Sequence, residues 1–369
     1  MAARMNAPDQ LKGILLALVV YGHTYLAVNS QDPVKWMIYG FHMPVFFVLS
    51  GWLWREASLR DRSLPELVGQ LWRRMLRQWL LVSVAFNLWL GRTPDDVRGV
   101  WHDYVLFPYF HLWFVPALAF MIVLTQVLLR AGCGWRTLAL VAGAGLVFEL
   151  PARAEVLPVP LTEVDSRYGA FLAWFLLGFA IRNAPWPALR SAGLWVWAPL
   201  VVAGLAVYAW SYPVAQWSRD VGFVLLNVGL ALALPMILRV LESPLPLVGR
   251  ALITVGRASL WIYLLHPFVT LRVAEHDPGG GSGRLVGAGV TVAVLGAGVL
   301  VDVAVRRLRL RLRSRRAAAR ARRRPPELDA ATLDPAALDP GLGATPGATG
   351  EIATEIRTET TTERETVTA

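Results

Sequence analysis

Four histidines lie inside or at the edge of strongly apolar stretches: His23 in ILLALVVYGHTY, His42 in YGFHMPVFF, His111 in FHLWFVPALAF and His266 in LWIYLLHPFV. An ionisable side chain is costly in hydrocarbon, so this pattern points to polar chemistry carried out within a membrane. Neutral imidazole takes up and returns protons near neutral pH, which suits it to activate a hydroxyl as a nucleophile. Lys12 precedes His23 by eleven residues. At about 3.6 residues per turn that spacing returns both to nearly the same helix face, roughly 16 Å apart along the axis. One face of one segment thus joins a membrane edge to the membrane interior. Metal chemistry finds no support in the pattern, since no two histidines stand at ligand spacing on one helix. The lone Cys133 excludes an internal disulfide and a cysteine-pair site, and no glycine-rich phosphate loop is present.

These residues need an apolar scaffold to hold them, and the composition supplies one. The 369 residues are 55% hydrophobic and only 17% charged, more apolar than a single soluble core can hide. A bilayer-crossing helix takes about 20 mostly apolar residues, and ten such segments are expected at 11–28, 36–54, 71–90, 109–129, 135–150, 168–183, 194–211, 219–239, 251–271 and 285–305. The fold class is therefore an all-α polytopic membrane protein of about ten transmembrane helices. With the amino terminus inside, the inner loops carry most of the arginines while the outer loops mix theirs with aspartate and glutamate. This asymmetry places both termini in the cytoplasm.

Two regions follow from the composition: a transmembrane domain over 1–305 and a tail over 306–369. The tail opens with eleven arginines between 306 and 324 and continues as a Thr-, Pro- and Glu-rich stretch. Such a stretch cannot bury enough apolar surface to fold and is expected to be a disordered cytoplasmic tail. Its arginines suit anionic lipid headgroups; with no aromatic residues interleaved, nucleic acid is not an expected partner. Buried polar residues also suit a transporter or a flippase of a lipid-linked sugar. That competing reading is weakened because no internal repeat and no matched pair of broken helices is evident.

Four blocks carry a resemblance. DQLKGILLALVVYGH resembles the first-helix signature of the acyltransferase-3 family, a basic residue, ten intervening residues and a histidine; Lys12 stands where many members carry arginine. FHMPVFFVLSGWLW resembles the family's second-helix block, HLWFVPALAF its LWF-x-PAL block, and GRASLWIYLLHPFV the block near its end. Together they run in register from Asp9 to about Pro267. The resemblance implies an integral-membrane O-acyltransferase, in the manner of the sugar O-acetyltransferase branch, located in the cell membrane as a multi-pass protein. It implies acetyl-coenzyme A as donor and a glycan or other hydroxyl compound as acceptor. The family's arginine pair in the third helix is matched by Arg74 and Arg77 in WRRMLRQWL. Residues three apart share a helix face, and their guanidinium forks suit the phosphates of the donor. Lys12 joins them, with Arg73 beside them. His23 is then the general base or, alternatively, a covalent acyl relay. His266 ranks second among the candidate catalytic histidines, and Ser50 is a candidate donor to the oxyanion. His42, His111, Trp113 and Glu149 are the candidates on the acceptor side.

Overall fold

The computed structural model describes residues 6–24, 32–92, 99, 102, 111–153, 167–185, 194–212, 216–242, 247–274 and 280–323, and the regular structure among these residues is helical. In chain order the elements are α1 (Ala7–Thr24), α2 (Pro33–Tyr39), α3 (His42–Trp52), α4 (Glu56–Arg60), α5 (Leu64–Leu71), a π turn (Trp72–Leu76) and α6 (Arg77–Trp89). There follow α7 (Phe114–Arg130), α8 (Trp135–Arg153), α9 (Arg167–Asn183), α10 (Leu194–Trp210), α11 (Gln216–Glu242), α12 (Val248–Arg257), α13 (Ser259–Ala274) and α14 (Gly280–Arg323). The chain divides into two units, Met1–Arg307 and Leu308–Ala369, and the site described below belongs to the first. In the second, the chain is helical to Arg323; the stretch beyond, expected to be disordered, lies outside the described residues.

Each of the ten expected segments overlaps a helix. Among the described residues two stretches, Ser218–Glu242 and Gly283–Leu312, are by themselves long and apolar enough to cross a membrane. Phe114–Arg130, Trp135–Val147 and Trp195–Trp210 are apolar but shorter. Three of the expected segments are not simple rods. Segment 36–54 is broken at Gly40 and Phe41 between α2 and α3. The Gly40 carbonyl released there accepts a hydrogen bond from the buried Asn227 amide at 2.7 Å, so the break leaves no orphan acceptor in an apolar setting. Segment 71–90 contains the π turn. Segment 251–271 is an elbow, with α12 and α13 meeting at 82°. Its first limb, VGRALITVGR, carries Arg250 and Arg257 seven residues apart on one face. That limb is amphipathic rather than uniformly apolar.

Helix ends are specified locally. Asp32 caps α2, accepting from the Val34 amide at 2.7 Å and from Arg284 of α14 at 3.0 Å. Burial pushes its carboxyl upward, but those bonds outweigh burial and hold it below the usual carboxylate range. Ser63 and Glu66 form a reciprocal capping box at the start of α5. Gln126 of α7 donates to the carbonyls of Leu59 and Arg62. That bond pair fixes the approach to α5 and the π turn.

Packing is closest where glycine lets backbones touch. A Cβ on Gly51 of α3 would strike the carbonyl of Phe175, and one on Gly178 of α9 would strike the carbonyl of Val48. The two helices therefore cross through a reciprocal glycine contact, the small-residue packing that apolar surroundings favour. Helices α1 and α12 use the same device: Gly13 lies on Leu252, and Gly256 lies on the carbonyl of Asp9. Phe47, Trp113, Phe114 and Phe171 fill the space beside α3, with ring centroids 4.9–6.0 Å apart about Phe47. Val20, Ile262 and Val294 close a second apolar cluster that joins α1, α13 and α14.

Candidate active site

A cavity of about 870 Å³ opens within the first unit, walled by α1, α3, α7 and α13 among others. Helix α1 gives it one stripe, Lys12, Leu16, Val19 and His23. These lie at intervals of four, three and four residues, the repeat of a single helical face. Lys12 and His23 thus border the same space, at different depths.

At the far end of that stripe from Lys12, His23 is 6% exposed and stacks against His111, with ring centroids 3.5 Å apart and planes 16° apart. His266 lies near both, its centroid 5.5 Å from His23 at 15° and 6.0 Å from His111 at 23°. The three imidazoles come from α1, from the turn before α7 and from α13, so the stack exists only in the assembled bundle. The Tyr39 hydroxyl lies 2.8 Å from Nδ1 of His23. That contact fixes one of the two ring nitrogens on the Tyr39 hydroxyl. His266 donates from Nδ1 to the carbonyl of Tyr263 at 2.7 Å, and its Nε2 is buried with no hydrogen-bond partner among the described residues. It stands behind the cavity wall rather than on it. His42 does line the cavity and donates from Nδ1 to the carbonyl of Ile38 at 2.6 Å. Its Nε2 therefore carries a lone pair.

The other expected residues divide. Ser50 lines the cavity, but its hydroxyl donates to the carbonyl of Phe46 at 2.8 Å, so donation to an oxyanion would require breaking that bond. His111 and Trp113 both line it; Trp113 is buried and stacks on Phe171 at 5.4 Å. Glu149 lies on α8, and its side chain is outside the described residues.

The opposite end of the cavity is cationic. Lys12, Arg74 and Arg257 line it, with Gln70 beside them. Asp9, 4% exposed, sits between two of these cations, 3.4 Å from Lys12 and 3.5 Å from Arg257. Those two are therefore partly neutralised and held in place. Arg74 is exposed and makes no hydrogen bond or ion pair among the described residues. Arg73 and Arg77 are exposed too, and neither lines the cavity. The π turn accounts for the separation: residues three apart superpose on an α-helix, whereas a turn closed by longer hydrogen-bonded rings rotates them apart.

A family model described as an acyltransferase domain matches residues 5–302. The chain belongs to the acyltransferase-3 family. Comparison with curated proteins and with solved structures gave no match. Membership makes the protein a membrane acyltransferase, and the matched span takes in every element that walls the cavity.

Two residues of this acyltransferase escaped the sequence reading. Tyr39 lies in a short helix beyond a break that periodicity does not mark. Arg257 is hidden inside a stretch read as one crossing; its spacing from Arg250 was the available signal. Tyr39 bonds to the His23 ring, and its loss removes that hydrogen bond. Tyr39→Phe should therefore lower kcat for acyl transfer by about 10- to 100-fold, with the KM for the acyl donor little changed. Steady-state kinetics of the purified variant check this, and an unaltered kcat would end the role.

Proposed function

We propose that the acyltransferase moves an acetyl group from cytoplasmic acetyl-coenzyme A to a hydroxyl of a cell-surface glycan or its lipid-linked precursor, acting in the cell membrane. The observation that carries this reading is a single cavity with cations at one end and a histidine stack at the other. Cations suit the diphosphate and ribose phosphate of the donor. An apolar wall between, with Leu16 and Val19 on it, suits the uncharged pantetheine arm, which brings the thioester to His23.

In this reading Nε2 of His23 takes the proton of the acceptor hydroxyl as the oxygen attacks the thioester carbonyl carbon. A C–O bond forms, and the carbonyl electrons move onto oxygen. Collapse of the tetrahedral intermediate breaks the C–S bond, and the departing thiolate takes the proton from His23. The products are an O-acetyl ester and the free thiol of coenzyme A, with the histidine returned to its starting state. Buried surroundings strengthen the electrostatic support of the intermediate. Tyr39 on Nδ1 shares the positive charge that His23 carries meanwhile.

The test uses the full chain in lipid nanodiscs. Thiol release from acetyl-coenzyme A should depend on an added hydroxyl acceptor and match ester formation one for one by mass spectrometry. Acceptor movement across a vesicle membrane without thioester cleavage would overturn the proposal.

A further inference from the structure

We propose that a second pocket beside the histidine cavity is the acceptor subsite, and that it grips a neutral polyhydroxyl ring by a hydroxyl other than the one acylated. This rests on the acyl-transfer reading above. The pocket measures about 340 Å³ and shares Tyr39 and Phe223 with the main cavity. A molecule seated in it thus borders the main cavity at the tyrosine that bonds to His23. Its size falls at the lower end of ordinary ligand pockets, about 300–1,000 Å³.

Asp220 carries the argument. Its side chain is 3% exposed and lines the pocket; Oδ1 accepts from Nε of Arg219 at 3.3 Å, and Oδ2 is buried with no partner among the described residues. A buried carboxylate oxygen without a donor is costly, and the arrangement asks for a donor from a ligand. The surrounding charges select the donor. Lys35 and Arg219 both line the pocket, so an ammonium group is repelled. Asp220 itself disfavours an anion at that point. A neutral hydroxyl meets neither objection.

The frame is rigid before any ligand arrives. Trp36 donates from its indole nitrogen to the carbonyl of Tyr208 at 3.2 Å, and the Tyr208 hydroxyl donates back to the carbonyl of Trp36 at 3.0 Å. Their rings stack with centroids 5.1 Å apart. Close contact of Gly222 with the backbone of Tyr208 brings the start of α11 against α10. Asp220 is therefore delivered by backbone packing, and little ordering remains to be done on binding. An acceptor with a single hydroxyl would use the His23 side and leave Asp220 unanswered. One with two or more satisfies both.

The experiment measures thiol release from acetyl-coenzyme A by the full chain in nanodiscs, with methyl β-glucoside and cyclohexanol as acceptor probes. Wild-type protein should favour the glucoside in kcat/KM. In Asp220→Asn that preference should fall about tenfold or more through the glucoside KM, as expected for losing a charge-assisted hydrogen bond. Asp220→Glu, which displaces the carboxylate by one methylene, should lower it too. A ratio between two acceptors cancels any general loss of folded protein. If the wild-type enzyme works and His23→Ala does not, yet both Asp220 variants keep the wild-type preference, the subsite is overturned while the transfer reading stands. If neither probe supports thiol release by the wild-type protein, the transfer reading falls and the subsite with it.

Discussion

Replacing His23 by alanine is expected to lower kcat for acyl transfer by about 10²- to 10⁴-fold, the usual contribution of a positioned general base. His266 lies off the cavity wall and is not placed to substitute. His23→Gln separates chemistry from packing, since glutamine can still bond to the Tyr39 hydroxyl but cannot carry a proton between acceptor and leaving group. Both variants should be recovered folded, by size-exclusion profile in detergent, and both should be inactive by thiol release. Near-normal turnover in either would remove His23 from the mechanism.

The second large effect concerns the donor. Arg74→Ala should raise the KM for acetyl-coenzyme A by about 10- to 100-fold, the loss expected for charge-assisted hydrogen bonds to phosphate. Arg77→Ala should change it by no more than about twofold, as exposed charges off the binding surface usually do. The contrast comes from the structure, because Arg74 lines the cavity and Arg77 does not. Titration of donor concentration at a fixed acceptor level measures both. Equal effects would mean that the pair acts together as its spacing suggests, with Arg77 turning inward when the donor binds.

Much of this was legible beforehand where a repeat of about 3.6 residues runs uninterrupted. Lys12 and His23 were placed on one face by counting, and the structure sets both on one cavity. Helices α7, α9 and α11 lie where apolar length put them. The readings that failed to resolve share one cause, a local departure from regular helix. A π turn separates Arg74 from Arg77, a break before Phe41 frees Tyr39 to reach His23, and an elbow at Ala258 turns Arg257 to the cavity. Such departures depend on tertiary contacts, as Asn227 on the Gly40 carbonyl and Gly256 on Asp9 show, and contacts between distant segments leave no periodic trace. All three histidines were named as candidates, but their stacking was not legible, for the same reason. Its three rings come from residues 23, 111 and 266, which no linear pattern relates.

The glycine crossings also bear on how a bulky molecule enters. Helices α1 and α3 are each pressed backbone to backbone against a partner, so neither can slide without forcing main chain through main chain. Interlocked rods of this kind resist shear and favour rotation about joints. The joints at hand are the interruption after Tyr39 and the 82° corner at Ala258. Each end of the chamber thus has a joint of its own beside it, one next to the histidines and one next to the cations.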